Sequence, residues 1–313
     1  MTAEKCRIPT LAGRERDAHK GCFGHCLVVG GSPGMTGAAK MAAHSSQLAG
    51  AGLITLGLPA GLRMTGDVGR ASIMSRALPD TADNVLGLRA AMAVLDEVGK
   101  YDVCALGPGL GRARSTRMMV RRLVAEMDIP LVLDADGLNA LAGSPEPLRA
   151  RSRPAVVTPH PGEMARLVGN TTAAEIQKNR QEIAVQYAQQ TGCCVVLKGH
   201  QTVVTDGDRC CLNETGNPGM ATGGMGDVLT GLVAGFIAQG LTAFEAGRLG
   251  AFVHGLAGDL AADLEGETSL SPEFLMECVP EVLLVLQSLA AGEPVAPQKI
   301  IRGVRSEEAT RNA

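Results

Sequence analysis

The chain has 313 residues, 45% hydrophobic and 19% charged, which is enough apolar material for a sizeable buried core. Its 40 Gly and 16 Pro follow no Gly-X-Y period and lie in no Ser/Gln tract, so collagen and low-complexity disorder are excluded. With 5 Phe, 2 Tyr and no Trp there is no stacking platform for single-stranded nucleic acid, and a net charge of -3 gives no global pull toward nucleic acid or an acidic membrane.

Residues 1–10 carry Glu4, Lys5 and Arg7 without an apolar stretch, so they do not read as a secretory leader. From residue 26 onward, apolar runs of strand length alternate with longer amphipathic stretches. Leu27–Gly30 reads as a strand, Thr36–Ala51 as a helix of small residues and Leu53–Leu58 as a strand. Val85–Val98 reads as a helix, Val103–Leu106 as a strand, Ser115–Glu126 as a helix and Leu131–Leu133 as a strand. Ala155–Thr158 is a further strand, followed by helical segments over Glu163–Val168 and Ala174–Gln189. Val195–Leu197, Thr202–Thr205 and Arg209–Leu212 read as strands, the last two as a hairpin across Asp206-Gly207. Gly226–Ala290 is nearly all helix.

Strands that read as continuous apolar runs, rather than alternating ones, belong to a sheet buried on both faces. The expected fold is therefore α/β, one domain over 1–313 with helices on both faces of a mostly parallel sheet. Its core spans about 20–290, and 293–313 reads as a mobile tail rich in Pro, Arg and Glu. No apolar run reaches the roughly 18 residues of a membrane span. Arg114, Arg117 and Arg121, spaced i, i+3, i+7, read as a solvated helix face rather than a phosphate track. Nine cysteines show no CxxC spacing. Cys22 and Cys26 near His25 form one candidate ligand pair where structural zinc needs two, so reduced, buried cysteines are expected.

The densest chemical signal runs from Asn213 to Asp227. Gly216, Gly219, Gly223, Gly224 and Gly226 precede a helix start, which frees backbone N–H groups to point at one spot beside the positive end of a helix dipole. Asp227 in the first turn is placed to accept a proton from a hydroxyl that attacks phosphorus. Gly30–Lys40 is not a Walker loop, because Lys40 is displaced. Gly107–Gly111 is GxGxG rather than the dinucleotide GxGxxG. Both still read as strand-to-helix turns at the carboxyl edge of the sheet, where open α/β sheets bind ligands. Asp134, Asp136 and Asn139 follow a strand and serve either Mg²⁺ through water or helix capping. His160 stands between two prolines, which suits a hydrogen bond to a polar ligand, and Lys198 ends a buried strand within reach of phosphates. His19, His25, His44 and His254 read as structural or surface residues.

Taken in order, Phe23–Ala39, Gly107–Gly111, Leu133–Asn139, Thr158–Glu163, Leu197–Gly199 and Gly216–Asp227 resemble the ADP-dependent NAD(P)H-hydrate dehydratases. These are the carbohydrate-kinase-like half of the repair pair for hydrated nicotinamide cofactors, and the likeness covers about 20–290. It implies a ribokinase-like three-layer α/β/α sandwich and a lyase that uses ADP, with ATP as the alternative donor, together with Mg²⁺. It implies a cytoplasmic homotetramer without a nucleic-acid or membrane partner. It also implies an epimerase partner, expected as a separate chain because only about 20 residues precede the first motif. Carried over, Ala38 or Ala39, Gly109, His160 and Asp227 contact the hydrated cofactor. Lys198, Gly199, His200, Gln201 and Thr202, with Gly223, Gly224 and Gly226, contact the nucleotide. No metal ligand is assigned. A ribokinase-like kinase for a hydroxymethylpyrimidine or hydroxyethylthiazole uses the same glycine hole and Asp227, and a non-catalytic nucleotide sensor would not need Asp227.

Overall fold

The computed structural model describes residues 8–67 and 71–290. Nine strands are present: β1 (His25–Val29), β2 (Leu53–Pro59), β3 (Met74–Leu78), β4 (Val103–Leu106), β5 (Leu131–Leu133), β6 (Ala155–Val157), β7 (Cys194–Leu197), β8 (Thr202–Thr205) and β9 (Cys210–Asn213). Between β1 and β4 run α1 (Thr36–Leu48), α2 (Arg63–Asp67) and α3 (Leu88–Leu95). Between β4 and β7 run α4 (Arg114–Glu126), α5 (Ala135–Ala140), α6 (Glu146–Arg149), α7 (Pro161–Val168), α8 (Ala173–Lys178) and α9 (Arg180–Thr191). The chain closes with α10 (Met225–Ala238), α11 (Ala243–Glu265) and α12 (Pro272–Ala290).

The strands form one sheet in the order β3-β2-β1-β4-β5-β6-β7-β8-β9. Pairing is parallel from β3 through β7 and antiparallel for the β7-β8-β9 meander. The side-chain period of two sorts each strand between two cores. Cys26 and Val28 of β1 face the core made with α1, α10, α11 and α12. Leu27 and Val29 face the core made with α3, α4, α5, α7 and α9. Both faces are covered, as the unbroken apolar strands require. The chain builds outward from β1 to β3, then crosses to β4 on the other side of β1. The order reverses there, and the loops after β1 and β4 frame a crevice at the carboxyl edge.

The sequence-based boundaries hold to within a few residues for most elements, and β4, β5 and β8 coincide with the expected ranges. Three differences have physical causes. β3 lies at the sheet edge with mostly exposed or half-buried residues, so it carries no apolar run to betray it. The helix expected over Ala174–Gln189 is two helices, because Asn179 leaves helical geometry (φ -126°, ψ 36°). The Val85–Val98 helix shrinks to α3, since Asp80 and Leu86 form a bridge that holds the chain extended before it. The tail expected over 293–313 lies outside the described residues. Among the described residues, no helix is long and apolar enough to cross a membrane. Arg114, Arg117 and Arg121 are exposed on α4 as expected. Among the described residues seven cysteines are free thiols, whereas Cys211 is disulfide-bonded and Cys22 is exposed, two departures from the expectation of reduced, buried cysteines.

Helix α10 is buried almost throughout and packs on α1. A helix apolar on every side belongs in a core. The close approach depends on Gly231 and Gly235. A Cβ at Gly231 would overlap Ser45 Oγ and the Ala42 carbonyl, and one at Gly235 would lie 2.6 Å from both Ala49 Cβ and the Ser46 carbonyl oxygen. Gly231→Ala should therefore cost about 1–3 kcal/mol by forcing the helices apart. Gly37→Ala, with nothing within 4 Å of its added Cβ, should be neutral or stabilising by up to about 1 kcal/mol. Urea midpoints at unchanged slope measure both.

Candidate active site

Three strand ends meet at the carboxyl edge by backbone contact. After β1, the Gly31 amide donates to the Pro108 carbonyl (2.8 Å), and Ser32 Oγ donates to the Gly109 carbonyl (2.8 Å). After β4, Gly107 takes φ 135°, and a Cβ there would collide with the Asp134 carbonyl. These glycines bring β1, β4 and β5 to one place by removing side chains from their crossing points.

Asp134 leaves β5 and is 1% exposed. Its Oδ1 accepts from Lys198 Nζ at 2.6 Å, and its Oδ2 accepts from Thr230 Oγ1 at 2.8 Å. Glu163 lies on the far side of the ammonium, with Oε2 3.9 Å from Nζ. Burial opposes the Lys198 charge, but Asp134, Glu163 and the Asp134 hydrogen bond together hold its pKa above the usual lysine value. Lys198 thus has partners inside the protein at the edge where the sequence expects it to meet phosphates. Asp134 has each oxygen engaged by one side chain, which anchors Lys198 and Thr230 to the end of β5. Asp136 is likewise occupied, accepting from the Gly111 amide (2.8 Å), Asn139 Nδ2 (3.1 Å) and Arg112 Nε (3.4 Å). Among the described residues, no three His, Cys, Asp or Glu side chains gather as a metal cage.

His160 and Glu163 form a capping box at the start of α7. His160 Nδ1 accepts from the amides of Gly162 (3.0 Å) and Glu163 (3.3 Å), while Glu163 Oε2 accepts from the His160 amide (2.9 Å). With Nδ1 occupied as an acceptor, the neutral ring carries its proton on Nε2, which lies 3.6 Å from Glu163 Oε1 and makes no hydrogen bond among the described residues. Partial burial holds this imidazole below its ordinary pKa, against the pull of Glu163.

Above these groups begins α10. Gly224 caps it at φ 98°, and no side chain bonds to the first-turn amides. A Cβ at Gly224 would press on Met41 and Pro272 at 2.8–2.9 Å. The open amides of a long helix start can receive an anion. Gly226 sits directly over the ion pair, since a Cβ there would lie 3.1 Å from Lys198 Nζ and 3.5 Å from Asp134 Oδ2. Asp227 follows. Burial first, and then the charge of Asp134, push its carboxyl up to about 7, with Lys198 acting in the opposite direction. An acid in this range exchanges protons near neutrality.

The remaining expected residues divide. Ala39 is fully buried against Gly30, so of the alanine pair only half-buried Ala38 has surface to offer. Gly109 is buried against the Met35 carbonyl. Gly199, His200 and Gln201 are exposed on the β7–β8 turn, and Thr202 Oγ1 donates back to the Gly199 carbonyl at 3.0 Å. Gly223 is exposed just ahead of α10. Three participants escaped the sequence reading. Thr230 lies three residues after Asp227 on the same helix. Glu163 is signalled by the N-cap-to-N3 spacing from His160. Arg180 braces the β7–β8 turn from α9, donating to the carbonyls of Leu197 (2.8 Å) and Lys198 (3.3 Å), and nothing local in the sequence marks it. His254, read as structural, is pressed down to about 4 by burial, with a backbone hydrogen bond at Met225 acting the other way.

Residues 26–281 match the NAD(P)H-hydrate dehydratase family model. A bifunctional NAD(P)H-hydrate repair enzyme of Moorella thermoacetica is 45% identical over 288 residues, covering 92% of this chain and 54% of its own length. This chain thus spans about half the length of the bifunctional relatives it matches. An ADP-dependent (S)-NAD(P)H-hydrate dehydratase of Neisseria meningitidis is 38% identical, over 85% of this chain and 87% of that one. The crystal structure of an ADP/ATP-dependent NAD(P)H-hydrate dehydratase from Bacillus subtilis, co-crystallised with ATP and Mg²⁺, superposes with a TM-score of 0.75 at 31% identity, covering 88% and 94% of the two chains. A ribokinase from Thermotoga maritima shares the architecture at 13% identity and a TM-score of 0.51, which makes the sandwich ribokinase-like in fold.

The raised affinity of Asp227 for its proton has a stability consequence. The folded carboxyl holds its proton up to about 7, whereas an ordinary aspartate gives it up near 3.8. The contribution of this group to stability is therefore full below pH 4 and is lost as pH rises through about 7. Asp227→Asn should match the wild type near pH 4, gain on it between pH 4 and 7, and level off about 1–3 kcal/mol more stable above that. Urea midpoints across this range measure the gap, and a constant gap would refute the burial of this charge.

Proposed function

Because the chain belongs to the NAD(P)H-hydrate dehydratase family, we propose that it dehydrates (S)-NADHX and (S)-NADPHX to NADH and NADPH at the expense of ADP, giving AMP and phosphate. The observation that carries the reading is Asp227, a carboxyl balanced near neutrality at the open start of α10 and over the Lys198–Asp134 pair. ATP is the alternative donor.

In this reading, the ring hydroxyl of the hydrated cofactor attacks the terminal phosphorus of ADP as its proton passes to Asp227. The bond from that phosphorus to the bridging oxygen breaks and AMP departs. The ring nitrogen lone pair then expels phosphate from carbon, and loss of a proton from the neighbouring carbon restores the dihydropyridine. General-base action at Asp227 is worth about 10²–10⁴ in rate. Amides of the Gly223–Asp227 turn hold the charge of the transferring phosphoryl group. Lys198 supplies positive potential from beneath Gly226 while Asp134 fixes its position. His160 offers Nε2–H to a polar group of the hydrated cofactor, beside Ala38 and Gly109. The exposed turn Gly199–Thr202, braced by Arg180, takes the nucleotide.

Magnesium fits this site only as a companion of the phosphates, because the described acidic groups build no cage and Mg²⁺ is commonly held by phosphate oxygens and water. When bound, it neutralises phosphate charge. Supply of the (S) hydrate is assigned to an epimerase activity, in keeping with the bifunctional names of the longer relatives. A cytoplasmic homotetramer belongs to the same reading and rests on the family resemblance.

Incubation with ADP and hydrated NADPH, followed by absorbance of the reduced nicotinamide, tests the activity. ADP-dependent recovery is expected; phosphorylation without recovery marks a kinase, and binding alone a sensor. Asp227→Asn should retain ADP binding within a few-fold and lose about 10²–10⁴ in turnover. For the wild type, kcat/KM should rise with pH and reach half its maximum near 7, as Asp227 gives up its proton. Near-normal turnover in the variant removes Asp227 from the chemistry.

A further inference from the structure

At the opposite, amino edge of the sheet, a cavity of about 190 Å³ lies between the connection from α6 to β6 and the turn from α9 to β7. Arg149, Arg151 and Arg153 line it together with Gln190, Gly192 and Cys193, and no acidic residue does. Arg153 is paired with Asp128 at 2.9 Å. Among the described residues, neither Arg149 nor Arg151 has a carboxylate within 4.0 Å, an unusual condition for two guanidinium groups around one concavity.

Their hydrogen bonds leave some guanidinium donors unspent. Arg151 spends Nη1 on the carbonyls of Val124 (2.7 Å) and Met127 (3.2 Å) and Nη2 on that of Ile129 (2.6 Å), so it closes the end of α4. Its Nε is buried and has no partner. Arg149 spends Nε on the Gln190 carbonyl (3.0 Å), and no hydrogen bond within the described residues engages its two Nη groups. Burial lowers the pKa of Arg151, and the Asp128 charge, already shared with Arg153, offsets this only in part. Carbonyl oxygens satisfy donors but do not neutralise charge. What this cavity lacks is an anion with several acceptor oxygens.

We propose that the cavity is a second anion site, which takes a phosphate group either as inorganic phosphate or as the monoester end of a nucleotide. A guanidinium presents its N–H groups in a fixed fork that matches phosphate oxygens, and the volume admits one such group. The site is separate from the Gly223–Asp227 hole. β7 alone joins Cys193, in the cavity wall, to Lys198, in the active edge, so about 16 Å of extended chain lies between them. The proposal does not depend on the reaction assigned above.

The Nε–Hε resonances of Arg149 and Arg151, assigned in ¹⁵N-labelled full-length chain through the Arg149→Lys and Arg151→Lys variants, report on the cavity and not on the active edge. Titration with sodium phosphate should move both peaks saturably, while sodium chloride at equal ionic strength should not. Arg149→Ala, at an exposed position, should raise the midpoint for the Arg151 peak at least about tenfold. Movement with adenosine monophosphate as well assigns the monoester, and movement with inorganic phosphate alone assigns the free anion. Static peaks, or equal movement with chloride, overturn the proposal. Selenate-soaked crystals give an independent reading. An anomalous peak between Arg149 and Arg151 supports the site, and selenium only at the start of α10 refutes it.

Discussion

The buried pair of Lys198 and Asp134 is the constraint on which the active edge depends. Three elements meet in it: Asp134 leaves β5, Lys198 leaves β7, and Thr230 of α10 supplies the second hydrogen bond to the same carboxylate. A buried ion pair is a weak source of net stability, since desolvation offsets much of the attraction, but removing one partner is severe. Its value here is positional. The two ions and the hydroxyl leave few ways to seat α10 on the strand ends. Gly226 follows from that seating, because a side chain there would press on the ammonium. The raised proton affinity of Asp227 follows as well, because its carboxyl is brought near Asp134 and Glu163 at partial burial.

Where the sequence was legible, a short-range physical rule was at work. β4, β5 and β8 appear as unbroken apolar runs because both of their faces are covered. The start of α10 is visible because a glycine-rich approach to an apolar helix serves no purpose in a chain that needs only to turn. The misses share a different character. Edge strand β3 is defined by its pairing with β2 and not by its own composition. Arg180 acts on a turn 17 to 21 positions away, where no periodicity connects them. The pairing of Lys198 was illegible for the same reason, since its partner lies 64 residues earlier in the chain. Nothing short of the fold brings the two together.

Glycine abundance takes on two meanings once the packing is known. Gly30, Gly107 and Gly109 lie where one strand-end loop crosses another, and a Cβ at each would strike a neighbouring backbone carbonyl. Their first service is to let loops touch; any ligand benefits from the resulting shape rather than from the glycines themselves. Gly223, by contrast, has open space around it at the exposed approach to α10. Gly231 and Gly235 belong to neither group and serve the helix–helix contact alone. An unusual composition here records close backbone approach throughout the molecule, of which the anion hole is one instance.

The charges of the active edge pose a problem that their arrangement resolves. Asp134, Asp136, Glu163 and Asp227 converge on a place assigned to a polyphosphate, which ought to repel them. Two of the four are neutralised locally: Asp134 by Lys198, and Asp136 by Arg112 with the amide and side-chain donors around it. Glu163 commits Oε2 to the His160 amide and shares the ammonium at 3.9 Å. Asp227 is left as the carboxyl without a committed counter-ion, and its high proton affinity means that it is readily neutral when an anion arrives. Phosphate charge at the α10 amides must raise that affinity further. Nucleotide binding and proton uptake at Asp227 are therefore coupled by reciprocity. The same group that relieves repulsion by holding a proton must shed it before it can serve as a base. Tight binding of phosphate and rapid proton removal consequently pull the best pH in opposite directions, and a carboxyl near neutrality is the compromise between them.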